Sequence, residues 1–312
     1  DIQHRAGRTL SADDVKDADS LLVRSVTQVN EALLKNSSIK FVGSATIGTD
    51  HMDIAALEQH GIQWSNAAGC NAQAVAEYVI TALLQVRPEL IDANATFTLG
   101  IVGLGNVGIR LAYMAKLLGW RVIGYDPLVQ REQVDQVEFH ELLQQADAIS
   151  IHVPLTITGA YPTYHLFNAA SLAHMRPDAI LINSARGPVI EEAALIQDIQ
   201  ATHRTVVLDV FEHEPLISAE LLDLVTLVTP HIAGYSLEGK ARGTQMIYEA
   251  FQGQDLKMAL QQHLSQIYDI ARDDANLRAC LKEGKVDQQA FDHLRKTYPL
   301  RREWAAHGGP KA

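Results

Sequence analysis

Two cysteines in 312 residues, Cys70 and Cys280, are too few and too far apart for a disulfide framework, and no CxxC pair offers a thiolate metal site. Both are expected as reduced thiols, which points to a cytoplasmic setting. No apolar run approaches the roughly 18 residues of a membrane span, and no secretory leader is visible, so a membrane is not an expected partner. Positive charge is short as well: 26 Lys and Arg stand against 37 Asp and Glu, a formal net charge of -11. A field of that sign repels polyanions and argues against nucleic acid. An anionic substrate would therefore need cations gathered locally. Low-complexity tracts and repeats of solenoid length are absent, and so is an initial Met, which leaves room for an upstream segment.

What the chain does have is rhythm. Short apolar runs alternate with helix-like segments, and 312 residues suit two domains with a cleft between them. SLLVRS, IKFVGSA and GIQWSNA read as early strands, with VNEALLKN and HMDIAALEQHG as the helices between them. AQAVAEYVITALLQVR reads as a longer helix, with Asn71 available as its cap and Pro88 as its stop. From Thr98 six strands follow, LGIVGLG, RVIGYD, AISIHVPL, AILINSA, TVVLDVF and LVTLVTP, each separated from the next by a helical segment. Near-continuous apolar strands of this kind predict a parallel sheet covered by helices on both faces. After Gly253 the tail turns rich in charge and glutamine, with IYDIARDDANLR and FDHLRKTYPLRREW as helical pieces.

LGIVGLGNVG sets Gly103, Gly105 and Gly108 in GxGxxG spacing between the first of those strands and its helix. In that context the three have separate tasks. Gly103 permits the tight turn, Gly105 lets the backbone approach a pyrophosphate, and Gly108 lets helix and strand pack closely. The helix starting at Asn106 and Val107 points free N–H groups at the phosphates. The next strand ends at Asp126, near the ~20-residue offset where an acid binds ribose hydroxyls. A carboxylate there repels a 2′-phosphate, which favours NAD over NADP.

INSARGPVI places Ser184, Ala185 and Arg186 just past a later strand, at the carboxyl edge where ligands of open α/β sheets bind. An arginine there can grip a carboxylate with two parallel hydrogen bonds; otherwise it caps a surface turn. LDVFEHEPL follows the next strand and offers three acids, Asp209, Glu212 and Glu214. After the sixth strand, TPHIAGY brings His231. Arginine, acid and histidine leave the same edge of one sheet. A carboxylate on one ring nitrogen fixes the tautomer of the other, which suits a histidine that takes a hydroxyl proton. His51 and His152, near strand ends, are expected as structural, and the other histidines, His165 among them, as surface residues.

Taken together, the dinucleotide turn, Arg186 in NSARG, Glu214 in FEHEP and His231 in TPHIAG resemble the D-isomer-specific 2-hydroxyacid dehydrogenases, from the start of the chain to about Ala250. The resemblance implies a Rossmann-type doubly wound parallel sheet binding NAD and a smaller flavodoxin-like substrate domain. It adds a C-terminal α+β dimerisation module, with the active site in the cleft between the first two. It implies residues 1–71 as substrate domain, 72–233 as NAD domain, 234–252 as a return to the substrate domain and 253–312 as the dimerisation module. The usual leading strand and helix are missing before Asp1, and the tail is short. The small domain and the module are therefore expected to be incomplete, either truly or because segments lie outside this sequence. Carried over residue by residue, Arg186 binds the substrate carboxylate, Glu214 partners the imidazole and His231 is the acid/base. Asp209, Val153, Ser184, Ala185 and Gly234 lie along the cofactor, while Ser25, Thr46 and Tyr235 touch substrate. The helix 72–87 resembles the family's dimer-forming helix and implies a homodimer.

HIAGYSLEGKARGT and VRSVTQVN resemble a branch of the family whose substrate is a phosphorylated 2-hydroxy acid. A phosphate at the far end from the carboxylate needs cations other than Arg186. Arg24, Lys240 and Arg242 are the candidates, with a solvated helix face as the alternative for the last two. Other readings are a dehydrogenase of 3-phosphoglycerate or another D-2-hydroxy acid, and a non-catalytic NAD-sensing scaffold of co-repressor type. The presence of the Arg–Glu–His set speaks against the scaffold.

Overall fold

The computed structural model describes residues 2–91, 96–252, 270–282 and 284–298. The chain divides into two compact units, residues 1–71 with 236–263, and residues 72–235 with 264–312.

In the first unit α1 (Ala12–Val15), β1 (Ser20–Val23), α2 (Glu31–Leu34), β2 (Phe41–Ser44), α3 (Ile54–Gln59) and β3 (Gln63–Asn66) alternate. The strands form a parallel three-stranded sheet in the order β1-β2-β3. Both longer connections start on capped helices: Asn30 accepts from Leu33 N, and Asp53 accepts from Ala56 N. Val42 and Leu57, neither with exposed surface, sit in a core shared with Val29, Leu33 and Leu34. That apolar burial holds the short elements together, since helices of four to six residues do not persist alone.

The second unit opens on α4 (Ala72–Val86), whose buried positions include Ala74, Ala76, Tyr78, Val79, Ala82 and Leu83. Asn71 does not cap it: its Oδ1 is buried without a hydrogen-bond partner. The order continues β4 (Thr98–Val102), α5 (Asn106–Leu117), β5 (Arg121–Tyr125), β6 (Asp135–Gln136), α6 (Phe139–Gln145) and β7 (Ala148–Ile151). Then come α7 (Ala169–His174), β8 (Ile180–Asn183), α8 (Glu192–Thr202), β9 (Val206–Leu208), α9 (Ala219–Leu224) and β10 (Leu227–Val228). The seven strands are all parallel and lie in the order β10-β9-β8-β7-β4-β5-β6. The six expected strands are present; the seventh, β6, is two residues long and carries no apolar run that could have announced it. Strands β7 and β8 are buried at every position, and separate apolar clusters cover the two faces of the sheet. α5 ends where Gly119, at φ +80°, takes the left-handed conformation and Trp120 N reaches back to Ala115 O at 3.1 Å. Chain direction reverses its lateral course between β4 and β7, the switch point at which open α/β sheets bind ligands.

The first unit is completed by α10 (Leu237–Gln252), which packs on β2 and β3 through Ile247. α11 (Ile270–Arg278), β11 (Leu281–Lys282), β12 (Lys285–Val286) and α12 (Gln288–Lys296) follow. The described part of the tail packs with the second unit. Leu277, Val286 and Phe291 enter the core of the second unit, and Arg278 Nη2 donates to Val225 O at 2.8 Å. The stretch 253–269, over which the tail was expected to begin, lies outside the described residues, as does the RREW piece.

Candidate active site

The turn after β4 is built by its glycines and stitched by Asp126. Gly103 has φ +94°, and a Cβ there would meet His152 O at 2.6 Å. A Cβ on Gly108 would lie 2.0 Å from Gly103 O, so only hydrogen fits between turn and helix. Gly105, N-cap of α5, differs: nothing lies within 4 Å of its Cβ direction. The open space at Gly105 fronts the first N–H groups of α5, the room and the polarity a pyrophosphate requires. Asp126 accepts from Leu104 N at 2.8 Å through Oδ2, and from Leu128 N and Val129 N through Oδ1. Its carboxylate is thereby fixed beside the turn. Val153 lies against the same turn from the end of β7, its Cγ1 3.0 Å from the Gly103 Cβ direction.

After β8 the buried Asn183 folds the chain back on itself, accepting from Ala185 N at 3.0 Å and donating to Arg186 O at 2.9 Å. Arg186 leaves this bend half-buried, with Nη1 donating to Ala185 O. Ser184 Oγ is buried without a hydrogen-bond partner among the described residues. A buried hydroxyl of this kind is costly unless a ligand completes it. With the space at Gly105, it makes the residues present a fit for a dinucleotide. Gly187 then passes so close to the next loop that a Cβ would stand 1.9 Å from Phe211 O. The bend carrying Arg186 is thus pressed onto the loop carrying Glu214.

Glu214 and His231 meet directly. Nδ1 of His231 donates to Glu214 Oε2 at 2.9 Å, while Glu214 Oε1 accepts from Phe211 N at 3.1 Å. Among the described residues Nε2 has no hydrogen-bond partner. Burial pushes the Glu214 carboxyl up, but the charge and hydrogen bond of His231, the Arg295 guanidinium and the Phe211 N–H outweigh it, so its pKa ends lowered. Glu214 therefore stays ionised, and in the neutral ring it holds the proton on Nδ1, which makes Nε2 the basic nitrogen.

What aims the histidine is Asp209, at the end of β9. It is 1% exposed and accepts from Thr229 Oγ1 at 2.6 Å, Ile232 N at 2.8 Å and Ala233 N at 2.9 Å. Thr229 Oγ1 gives its proton to Asp209, so Tyr78 Oη is the donor in their 2.8 Å bond. By pinning the two residues after His231, this chain of bonds holds the loop in a shape that requires φ +57° at His231 itself. A non-glycine residue tolerates that region only where its surroundings fix it. Burial raises Asp209 to about 6, outweighing His231 and the three hydrogen bonds. Asp209 was expected along the cofactor; this task, which chain position does not disclose, is a different one.

His165, expected on the surface, is half-buried and paired. Its Nε2 is 2.6 Å from Glu212 Oε1, and Glu212 Oε2 accepts from Glu192 N at 2.7 Å. One carboxylate so ties the loop before α7 and the start of α8 to the segment bearing Glu214. His152, its Nε2 2.8 Å from Ser150 Oγ, is driven down to about 3 by burial and stays neutral at ordinary pH. Tyr235 packs edge-on to Tyr298, ring centroids 6.1 Å apart, next to Gly234.

In the other unit, Thr46 Oγ1 lies 2.7 Å from Ser44 Oγ, and Ser44 Oγ lies 2.9 Å from Nε2 of the buried His51. Ser25 and Arg24 follow β1 and are exposed. Lys240 is half-buried in the first turn of α10, and its pKa is lowered by burial first and by the charge of Arg24 second. Arg242 donates through Nε to Cys70 O at 2.9 Å. Neither cation lies on a fully solvated helix face. Among the described residues no His, Cys, Asp and Glu cluster could hold a metal ion.

The profile of the D-isomer specific 2-hydroxyacid dehydrogenase NAD binding domain matches residues 85–233, and a domain of unknown function matches residues 246–307. The erythronate-4-phosphate dehydrogenase of Acinetobacter baumannii (strain AYE) is 66% identical, covering 100% of this chain and 94% of that protein. The protein of the same name from Psychrobacter cryohalolentis is 47% identical over 96% of this chain and 89% of its own. Among solved structures, the D-lactate dehydrogenase of Aquifex aeolicus, in complex with NAD and lactic acid, is 25% identical. Its TM-score is 0.64, over 78% of this chain and 86% of that one.

Proposed function

The chain belongs to the erythronate-4-phosphate dehydrogenases, within the D-isomer specific 2-hydroxyacid dehydrogenases, and from that premise we propose how its residues divide the reaction. It oxidises 4-phospho-D-erythronate to (R)-3-hydroxy-2-oxo-4-phosphooxybutanoate with NAD, a step of vitamin B6 biosynthesis. The observation that carries the reading is the His231–Glu214 bond at 2.9 Å, which leaves Nε2 as a base at the carboxyl edge of a dinucleotide-binding sheet. NAD, when bound, supplies the acceptor of the hydrogen and electron pair that leave C2. Nε2 of His231 takes the proton of the C2 hydroxyl as the carbonyl forms. Glu214 then faces an imidazolium, whose charge its own carboxylate offsets. Arg186 pairs with the substrate carboxylate, orienting C2 and drawing electron density from it. Gly103, Gly105, Gly108 and the N–H groups of Asn106 and Val107 would hold the pyrophosphate. Asp126 would hold ribose hydroxyls, and Val153, Ser184, Ala185, Asp209 and Gly234 would line the rest of the cofactor.

For substrate beyond C2, the reading assigns Ser25, Thr46 and Tyr235 as contacts. Arg24 and Lys240 are assigned to the phosphate, because the half-buried Lys240 feels the charge of the exposed Arg24, and two such cations favour an anion between them. Arg242, whose Nε is already given to Cys70 O, is the weaker candidate. A cytoplasmic homodimer is the proposed assembly. It rests on the family resemblance, the free cysteines and the lack, among the described residues, of any helix long and apolar enough to cross a membrane. The test compares initial rates of NADH formation with 4-phosphoerythronate, erythronate and 3-phosphoglycerate, in wild type and in K240M. We expect kcat/KM for 4-phosphoerythronate to exceed that for erythronate by about a hundredfold, two missing charge-assisted bonds, and to exceed that for 3-phosphoglycerate as well. K240M should narrow the lead over erythronate specifically. A preference for 3-phosphoglycerate would overturn the substrate, and equal losses on both erythronates would overturn the phosphate assignment.

A further inference from the structure

We propose that His51 is a positioning residue for substrate, acting through Ser44 to make the Thr46 hydroxyl a hydrogen-bond donor. This rests on the reading that Thr46 touches the phosphorylated acid. Ser44 closes β2 with no exposed surface, and His51 is 5% exposed. Ser44 Oγ lies between them, 2.9 Å from His51 Nε2 and 2.7 Å from Thr46 Oγ1. The surrounding backbone is fixed: Ala67 N donates to Thr46 O at 3.0 Å, Asn66 Nδ2 to Ile47 O at 2.6 Å, and Val29 N to His51 O at 2.7 Å. These bonds hold the three side chains in register without help from the relay.

A serine hydroxyl has one proton, so Ser44 cannot donate to both neighbours. Two polarities exist. With a proton on Nε2, His51 donates to Ser44, Ser44 donates to Thr46, and the Thr46 proton is released toward a ligand. With Nε2 bare, Ser44 donates to His51 and must accept from Thr46, which then offers a ligand only lone pairs. A carboxylate or phosphate oxygen repels lone pairs, so only the first polarity serves an anionic substrate. Gly48 O, 3.5 Å from Thr46 Oγ1, is the resting acceptor of that proton, at the limit of hydrogen-bond length. A shorter bond to an anion replaces it easily. Apolar packing at position 51 would fill the same space without the cost of burying an imidazole. The relay sets the direction in which the Thr46 proton points.

The test is steady-state kinetics with NAD and 4-phosphoerythronate on T46V, S44A, H51L and H51Q. S44A and H51L should raise KM for 4-phosphoerythronate about three- to tenfold, one hydrogen bond's worth, with kcat within threefold and KM for NAD unchanged. H51Q, whose amide can donate where Nε2–H did, should recover wild-type KM within twofold. Combined with T46V, neither S44A nor H51L should add a further loss. Nearly isosteric, S44A keeps the test available if H51L does not fold. Losses that add to that of T46V, or no recovery in H51Q, would overturn the relay. So would wild-type KM in S44A alongside a raised KM in T46V, and in that case the Thr46 contact stands. If T46V itself binds substrate normally, the contact falls and the relay with it.

Discussion

Alanine at Gly105 and alanine at Gly108 should fail in opposite ways. At Gly105 the backbone is extended, φ -72°, and no atom of the chain lies within 4 Å of a new methyl. The folded state therefore tolerates G105A, and stability should change by no more than about 0.5 kcal/mol. The methyl instead occupies the room in front of the first N–H groups of α5, where the pyrophosphate must approach. KM for NAD should rise at least about tenfold, equivalent to 1.4 kcal/mol of binding. At Gly108 the methyl would stand 2.0 Å from Gly103 O, more than an ångström inside ordinary contact. Helix and strand must part to admit it. That overpacking should cost about 1–3 kcal/mol, visible in the midpoint of urea unfolding. Urea titration followed by fluorescence, with NAD titrations on the same samples, separates the two effects. Wild-type NAD affinity in a stable G105A would refute the reasoning, because the open space would then not be the pyrophosphate site.

Two further outcomes follow from single carboxylates. Asp209 titrates at about 6 when folded against an ordinary 3.8, so the folded state keeps its proton across that window and its contribution to stability falls as pH rises through it. Measured as the stability of wild type minus that of D209N, the difference should shift by about 2 kcal/mol in favour of wild type from pH 7 to pH 4; a flat difference would contradict the raised value. D126N removes the charge that repels a 2′-phosphate but keeps an oxygen for the Leu128 and Val129 N–H groups, so the NADP-to-NAD ratio of kcat/KM should rise about tenfold or more. An unchanged ratio would move discrimination elsewhere.

The parts legible in the sequence are those that depend on neighbours along the chain. Strand rhythm, the glycine turn and the acid at the end of the next strand are local patterns, and their physics is local too. Strand order put His231 on one sheet edge with three acids, Asp209, Glu212 and Glu214, and the choice of Glu214 among them came from the family resemblance. The aim of His231 was not reachable, since Asp209 acts from 20 to 24 residues away through backbone N–H groups that carry no sequence signal. His165 and Glu212 pair across 47 residues; Glu212 stood among the three candidate acids, but nothing along the chain marks His165 as its partner. Asn71 was read as a cap on residue type alone, yet its carbonyl oxygen makes no hydrogen bond. In the tail, charge and glutamine dominate the sequence, and the three apolar residues spaced along it that enter the core of the second unit, Leu277, Val286 and Phe291, form no run that would announce this packing.

The central claim is that an imidazole set by Glu214 takes the hydroxyl proton of 4-phosphoerythronate. Its most direct test is H231N, assayed for NADH formation and, separately, for NAD binding. With the turn at Gly105 untouched, NAD affinity should stay within about twofold, while kcat should fall by about 10²–10⁴, the range a general base supplies. Turnover at the wild-type rate in H231N would contradict the account.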